Sequence, residues 1–558
     1  MSGHPTRPWI SATTLGDLLD RRAAEQPDRE AVVFPNETAT YAGLAERADW
    51  FARGLAGLGV ECGDTVGFLL GEEVDALACL FGAAKIGALP VPVNARFKGF
   101  ELTQVLGQSR MRVLVTRPPL PGAPDFPALL ERTFPEIAEA GAELRLTAAP
   151  HLRHIVLLGD QQRAGYLSSA AFESAGAAVT GDDLARRAIL VRVRDTAVVM
   201  YTSGTTASPK GAMLSHEAFT RFAEGVRDRF GLTPDDRIWT ALPLFHIGGI
   251  AFAIATINAG ATYTHAGFFR PDQALEHLET QRATVALAAF ETIWLAVLDQ
   301  PDFDRRDLSS IRIVMAVGVA ERLRQMAARL PRATQVSCFG GTEACSFLSL
   351  NELSDTLEQR VTTGGLPMPG MQTRVVDPET GTDLPPDTEG ELLFRGSNAF
   401  DGYLYAPELT ATCIDEDGWF HTGDVATQDP DGRVTFVSRL KDMLKVGGEN
   451  VSAAEVESYL VGHPAVGIVQ VVAAPDAYYV EVPAAFIQLK PGATATEEEI
   501  IDFCRDRIAT FRIPRYVRFV EDWPMSGTKI KKFELRERIA AELRERGITE
   551  APRITAQR

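Results

Sequence analysis

The chain is short of cysteine, of uninterrupted apolar runs and of positive charge, and each shortage argues against a class of function. Six cysteines (Cys62, Cys79, Cys338, Cys345, Cys413 and Cys504) are scattered over 558 residues without a Cys-x-x-Cys pair. That spacing gives no zinc signature and fits a reducing compartment, in which cysteines mostly serve as small buried hydrophobes. The start, Met1-Ser-Gly-His-Pro-Thr-Arg-Pro, lacks the apolar core of a signal peptide. The most apolar stretch, Ala76 to Val93, is broken by Lys85, Pro90 and Pro92, so it reads as a buried helix feeding a strand and not as a membrane span. A cytoplasmic protein is expected. Lys and Arg number 56 against 74 Asp and Glu, a net charge of −18, which argues against nucleic acid or an anionic membrane as the main partner. An anionic ligand would need local cations, and Lys210, Arg439, Lys441, Lys445, Lys529, Lys531 and Lys532 are the candidates.

The run Tyr201-Thr-Ser-Gly-Thr-Thr-Ala-Ser-Pro-Lys-Gly211 carries Thr202, Ser203, Thr205, Thr206 and Ser208 beside two glycines and Lys210. It follows a short apolar strand expected at 196–200. A glycine–hydroxyl loop leaving a strand can aim N–H and O–H donors at one point, a device for holding phosphate. The usual P-loop is absent, because that motif needs Gly-Lys followed by Ser or Thr, whereas Pro209 precedes Lys210 and Gly211 follows it. Simple phosphotransferases and motor-type NTPases therefore lose ground. Similar compositions also occur in plain connecting loops, so other segments must decide.

The length predicts about three or four domain-sized units. Residues 12–440 alternate helical and strand patterns, as layered α/β proteins do. Leu44, Ala48, Phe51, Leu55 and Leu58 recur at helical spacing behind Thr40, a candidate N-cap. Strands are expected at 66–70, 112–116, 154–158, 285–289 and 311–317, and an apolar helix at 74–86. Residues 371–396 read as an antiparallel β subdomain closed by turns. After Arg439 a compact α+β unit is expected, with capping boxes at 452–455 and 496–499 and strands at 466–473, 482–489 and near 516–520. The predicted fold class is α/β: a large N-terminal domain of several subdomains (1–440) and a small mobile α+β C-terminal domain (441–558).

Five further segments accompany the first loop: Leu242-Pro-Leu-Phe-His-Ile-Gly-Gly249, Cys338-Phe-Gly-Gly-Thr-Glu343, Trp419-Phe-His-Thr-Gly-Asp424, Ser438-Arg-Leu-Lys-Asp-Met-Leu-Lys-Val-Gly-Gly-Glu-Asn450 and Pro524-Met-Ser-Gly-Thr-Lys-Ile530. In order and spacing the chain closely resembles the adenylate-forming superfamily of acyl-CoA synthetases, luciferases and nonribosomal adenylation domains, over almost its whole length. The resemblance implies two steps. A carboxylate attacks the α-phosphorus of MgATP to give an acyl-adenylate and pyrophosphate, and a thiol then displaces AMP. Both first-step reactants are anionic, so charge neutralisation and positioning carry the catalysis.

The resemblance also implies roles. Thr202, Ser203, Gly204, Thr205, Thr206 and Lys210 hold the β/γ-phosphates, and Thr205 joins Glu343 as catalytic group and Mg²⁺ ligand. Gly340, Gly341 and Thr342 shape the turn before Glu343. Gly318, Val319 and Ala320 flank adenine, with Val319 where relatives often carry a smaller residue. Asp424 accepts both ribose hydroxyls, and Arg439 contacts ribose or phosphate. Lys529 bridges the attacking carboxylate and the α-phosphate, although Gly527-Thr528-Lys529 departs from the usual Thr-Gly-Lys. Lys441 marks a hinge about which the small domain turns, withdrawing Lys529 and bringing Gly447 and Gly448 to the site for coenzyme A. His246 stands at a gate between acyl tunnel and thiol channel.

The acyl segment, residues 245–257, contains no Asp or Glu, so nothing there would neutralise an amino-acid ammonium, and an unpaired buried ammonium is strongly disfavoured. Phe245, Ile247, Ile250, Phe252, Phe290 and Trp294 are candidate apolar walls, with Phe252 and Trp294 better read as core; Gly248, Gly249, Gly341 and Ala344 leave room. The expected substrate is an apolar carboxylic acid: fatty, aromatic or bulky alicyclic. An acyl-CoA ligase using ATP, Mg²⁺ and coenzyme A is the leading expectation. The alternatives are an acyl-AMP ligase that loads a separate carrier protein, a luciferase-like monooxygenase, and a decayed nucleotide-binding regulatory protein. A homodimer is compatible with the sequence.

Overall fold

The expected elements form where local chemistry puts them. In the computed structural model, which describes residues 12–119, 124–140, 144–202, 209–440, 443–446, 449–505, 507–526 and 529–554, Thr40 caps helix Tyr41–Gly57 by accepting from Gly43 N at 3.1 Å. Leu44, Ala48, Phe51 and Leu55 are buried beneath it. The apolar run becomes helix Val74–Lys85 and strand Leu89–Pro92. Its one cation is neutralised where it is buried: Lys85 Nζ donates to Asp20 at 2.7 Å and Asp49 at 2.5 Å, tying helices Leu15–Glu25 and Tyr41–Gly57 to its own. All six cysteines are free thiols, four of them buried. Among the described residues no helix is long and apolar enough to cross a membrane.

Two compact units emerge. The first holds residues up to Thr373 with Phe394–Phe420 and Gly432–Val434, and the second holds Arg374–Leu393, His421–Asp431 and the chain from Thr435 on. A seven-stranded sheet dominates the first unit, in the order Thr334–Val336, Ile313–Val317, Val285–Phe290, Arg237–Thr240, Thr262–Thr264, Glu30–Phe34, Glu37–Thr40. All neighbours are parallel except the last pair. A five-stranded sheet runs Leu89–Pro92, Thr65–Leu69, Val113–Thr116, His154–Leu157, Leu167–Ser168, parallel throughout. Parallel sheets need cover on both faces; helices Pro271–Thr280, Glu291–Leu298 and Ala320–Arg329 pack on the larger one around Trp239, Trp294 and Met326. The four strands from Thr334–Val336 to Arg237–Thr240 are neighbours and point the same way. Their carboxyl ends therefore share one edge, where ligands of open α/β sheets bind.

The loop after Arg237–Thr240 is clamped from below. Glu72 takes Leu244 N on both carboxyl oxygens, at 3.2 and 3.1 Å. His265 Nδ1 accepts from Gly267 N, so the ring proton resides on Nε2, which donates to Leu242 O at 3.2 Å. Glu72 and His265 approach to 3.7 Å, yet they are not an ion pair at neutral pH. Burial pushes Glu72 up to about 8 and His265 down to about 3, leaving both uncharged.

In the second unit, strands Met371–Val376, Gly390–Gly396, Phe420–Gln428 and Val434–Arg439 pair in chain order and lie mostly within it. A further sheet runs Glu449–Ser452, Met443–Val446, Val480–Leu489, Val466–Asp476, with Tyr516–Phe519 pairing in parallel with Val480–Leu489. The two long strands overrun the expected spans because Asp476 Oδ1 accepts from Tyr478 N and Tyr479 N and tightens their turn. The box at Thr496–Glu499 forms in both directions. The partner residue of the box at Ser452, Glu455, has a side chain outside the described set.

Buried titratable groups give two opposite limbs of stability against pH. His216 Nδ1 accepts from Leu15 N at 3.0 Å, and burial holds the ring down to about 4. The unfolded chain binds a proton below its ordinary value of 6.5, so this contribution is present above that pH and is lost as pH falls toward 4. His216→Asn, whose Oδ1 can replace Nδ1 as acceptor, should shrink the acid limb in thermal unfolding. Glu72 acts the other way. The unfolded chain loses its proton above 4.5 while the fold keeps it to about 8, so stability falls as pH rises through that window. Glu72→Gln should gain ~4 kcal/mol over the parent near pH 8 and no more than about 1 near pH 5; equal gains at both would remove the assignment.

Candidate active site

Two of the phosphate-loop candidates, Thr202 and Lys210, sit at the mouth of a hairpin. Strands Thr196–Thr202 and Lys210–Ser215 pair antiparallel, with Thr202 opposite Lys210. Gly211 has no room for a side chain, since a Cβ there would press on Val199 and the Tyr201 ring at 2.9–3.1 Å. Ser203, Gly204, Thr205 and Thr206 lie outside the described residues. The outgoing strand is flanked by 401–404 through Asp401 N to Met213 O, Met213 N to Gly402 O and Leu404 N to Gly211 O. That contact brings Tyr403 to the loop's edge, 5.5 Å from Lys210 Nζ to ring centroid.

Tyr403 donates its hydroxyl to Glu343 Oε1 at 2.9 Å. Burial, and then the Glu343 carboxylate, raise the phenol's ionisation well above the ordinary range, so it remains a donor. Glu343 itself follows strand Cys338–Phe339 in a short 3-10 turn. Gly340 is required because a Cβ would fall on Ser346 O. Just beyond, Cys345 and Ser346 both adopt left-handed backbone, φ 52° and 86°, strain that a fold keeps where its surroundings dictate it. Thus Lys210, Tyr403 and Glu343, from three distant segments, converge within the first unit. Tyr403 was not singled out from the sequence: nothing in Gly402-Tyr-Leu-Tyr-Ala-Pro marks which aromatic turns inward.

Gly318, Val319 and Ala320 connect strand Ile313–Val317 to helix Ala320–Arg329, on the same sheet edge. Val319 N donates to Glu291 Oε2 at 2.8 Å. His246 is the N-cap of helix Ile247–Ala259, its Nδ1 accepting from Gly248 N at 3.1 Å. Of the apolar wall candidates, Ile250, Phe252 and Trp294 are fully buried. Phe252 packs edge-on with Phe222 and Phe347, and Trp294 lies tilted against Trp239. Phe245 and Phe290 are half-buried, and the Arg96 guanidinium lies 5.8 Å from the Phe245 ring.

In the second unit, Asp424 is buried and Arg439 Nε lies 2.6 Å from its Oδ1. Arg439 Nη1 also donates to Thr422 O. Gly423 turns the chain at φ 65°, and Glu391 holds that turn by accepting from Gly423 N and contacting His421 Nδ1. Lys441, Gly447, Gly448 and the Lys529 side chain lie outside the described set. The Lys529 backbone pairs with Ser526. The lysines after it have acidic partners: Lys531 binds Glu534 and Lys532 binds Glu457, at 2.7 and 2.6 Å. No group of three or more His, Cys, Asp or Glu side chains that could hold a metal occurs among the described residues.

Comparison with known proteins agrees with this arrangement. Residues 19–404 match the AMP-binding enzyme family, and 455–529 match the AMP-binding enzyme C-terminal domain. YngI of Bacillus subtilis (strain 168), which carries the name of an acyl-CoA synthetase, is 34% identical over 94% of this chain and 97% of its own. The 3-[(3aS,4S,7aS)-7a-methyl-1,5-dioxo-octahydro-1H-inden-4-yl]propanoyl:CoA ligase of Rhodococcus jostii (strain RHA1) is 32% identical over 94% and 98%. The crystal structure of the anthranilate CoA ligase AuaEII in complex with anthranoyl-AMP superposes with a TM-score of 0.83 at 28% identity, covering 96% of this chain and 98% of that one. With both family domains present in order and relatives matched almost end to end, the protein belongs to the AMP-binding enzymes of the adenylate-forming superfamily and is most like their acyl-CoA ligases.

Proposed function

We propose that this AMP-forming acid–thiol ligase activates a fatty, aromatic or bulky alicyclic carboxylic acid with ATP and passes the acyl group to coenzyme A. The observation that carries the reading is the convergence of Lys210, Tyr403 and Glu343 beside the loop edge of the large parallel sheet. In the first step a carboxylate oxygen bonds to the α-phosphorus and the bond to pyrophosphate breaks. In the second the thiol sulfur bonds to the acyl carbon, the bond to AMP breaks, and the thiol proton passes to solvent.

Each residue has a task. Lys210, with Thr202, Ser203, Gly204, Thr205 and Thr206, offsets phosphate charge that a protein of net charge −18 would otherwise repel. Tyr403 fixes the orientation of Glu343. One carboxylate with hydroxyls, and no His or Cys cluster among the described residues, suits a hard cation held largely by phosphate and water; Glu343 and Thr205 would hold Mg²⁺, which when bound neutralises phosphate charge. Asp424 receives the ribose hydroxyls, and Arg439, now paired with it, must share or release that carboxylate. Lys529 joins the two anionic reactants, as a compact ammonium with three donors can. The domain from 441 to 558 turns about Lys441 between steps, presenting Gly447 and Gly448 to coenzyme A. If His246 is the gate, swinging its ring forfeits a helix cap worth about 0.5–2 kcal/mol.

An apolar acid is favoured by charge. Glu72 adjoins the start of the acyl segment, and it is uncharged at neutral pH and committed to Leu244 N. An ammonium there would remain unpaired.

ATP–pyrophosphate exchange driven by a panel of apolar acids is the direct test, and silence with every acid would overturn the proposal. Thioester formation from purified acyl-adenylate should be faster with coenzyme A than with a holo-carrier protein. Lys529→Ala should slow exchange by about 10²–10³-fold yet leave thioester formation from supplied acyl-adenylate near the parent rate. Equal losses in both steps would refute its assignment.

A further inference from the structure

The segment assigned to the adenine side has few anchors of its own. Gly318 has no side chain, and Val319 caps helix Ala320–Arg329 without a side-chain hydrogen bond. Its own N–H is held instead by an acid that opens the helix after another strand. Strand Val285–Phe290 slips register against Ile313–Val317 between Leu287 and Ala289, and Ala289 takes φ 65°, a costly conformation for a residue with a Cβ. Such a bulge re-aims the chain beyond it. The residue it delivers to the neighbouring strand's exit is Glu291.

Both oxygens of Glu291 are used. Oε2 accepts from Val319 N at 2.8 Å, and Oε1 accepts from Arg322 Nη1 at 2.7 Å. The pair is largely withdrawn from water, with side chains 16% and 11% exposed, which makes a charge-assisted bond stronger than a surface one. Gly318 lies against the same carboxylate, and a Cβ at 318 would overlap Glu291 Oε2. Burial raises the pKa of Glu291 and Arg322 counters it. The carboxylate thus fills the space behind the segment, bonds its backbone and is charge-matched by the helix that follows.

We infer that Glu291 is a positioning residue for the nucleotide, fixing the backbone of Gly318, Val319 and Ala320, with Arg322 as its counter-charge. This rests on the assignment of 318–320 to the adenine side. Loosening the latch should weaken ATP capture without touching the reacting atoms, so its signature is a split between KM and kcat.

The experiment uses the full chain in ATP–pyrophosphate exchange. Glu291→Ala is expected to raise KM for ATP about tenfold, with kcat and KM for the acid within about twofold. Glu291→Gln keeps an acceptor for Val319 N and should fall between parent and Glu291→Ala. Arg322→Ala combined with Glu291→Ala should cost less than the sum of the two. Val319→Trp separates the two claims by blocking the adenine side directly. If Val319→Trp loses ATP while Glu291→Ala binds it normally, the latch is refuted and the adenine assignment stands; if both bind ATP normally, both fall. Should Glu291→Ala fail to fold, Glu291→Gln decides by the same split, and an unchanged KM for ATP refutes the latch.

Discussion

Parallel pairing of four neighbouring strands is the constraint on which the first unit's site depends. Because Arg237–Thr240, Val285–Phe290, Ile313–Val317 and Thr334–Val336 run the same way, the chain leaves each at one edge. Residues about a hundred positions apart, from Leu242 to Glu343, are thereby brought toward one edge. Backbone hydrogen bonds fix the spacing, and the apolar faces under the helices fix the register. Chemistry can then vary in the loops while the sheet remains a packed core.

Electrostatics follow from that arrangement. A strongly acidic protein binds anionic reactants only if its cations are few, placed and not consumed elsewhere. Most of the arginines that form ion pairs among the described residues are spent on structural carboxylates, and Lys85, Lys531 and Lys532 are each matched by an acid. Lys210 instead stands over a tyrosine ring, a weaker contact than an ion pair, about 0.5–1 kcal/mol where exposed. The buried Glu72–His265 contact is the converse case. Neutral partners can sit beneath the acyl segment without projecting a field into it, which keeps that region suited to apolar matter while its backbone stays hydrogen-bonded.

The sequence made the local parts legible. Thr40 and Thr496 announce their helices because a cap is a contact over three residues, and the parallel strands announce themselves as short apolar runs. It concealed what joins residues far apart. Glu72 meets Leu244 across 172 positions and Tyr403 meets Glu343 across 60, and neither pairing leaves a periodic trace. Ile250 illustrates the other gap: a helix apolar all round gives no hint which face meets a ligand, and Ile247–Ala259 proves buried on every side. The hydroxyl loop was conspicuous from composition alone, whereas Glu291 looked like an ordinary first-turn acid of its helix.

Strain is placed in the same neighbourhood. Ala289 stands two residues before Glu291, and Cys345 and Ser346 come directly after the turn bearing Glu343. Left-handed backbone at such residues costs of order 1–3 kcal/mol each, and the packing around them must hold it. At Ala289 the return is visible, since the irregular register is what lets the carboxylate just beyond one strand brace the exit of the next. At Cys345 and Ser346 the chain reverses tightly enough for Ser346 O to occupy the space beside Gly340, which holds the Glu343 turn against its own strand. A site that must bind a flexible triphosphate gains most from backbone that cannot relax, and the strained positions lie where that rigidity is needed.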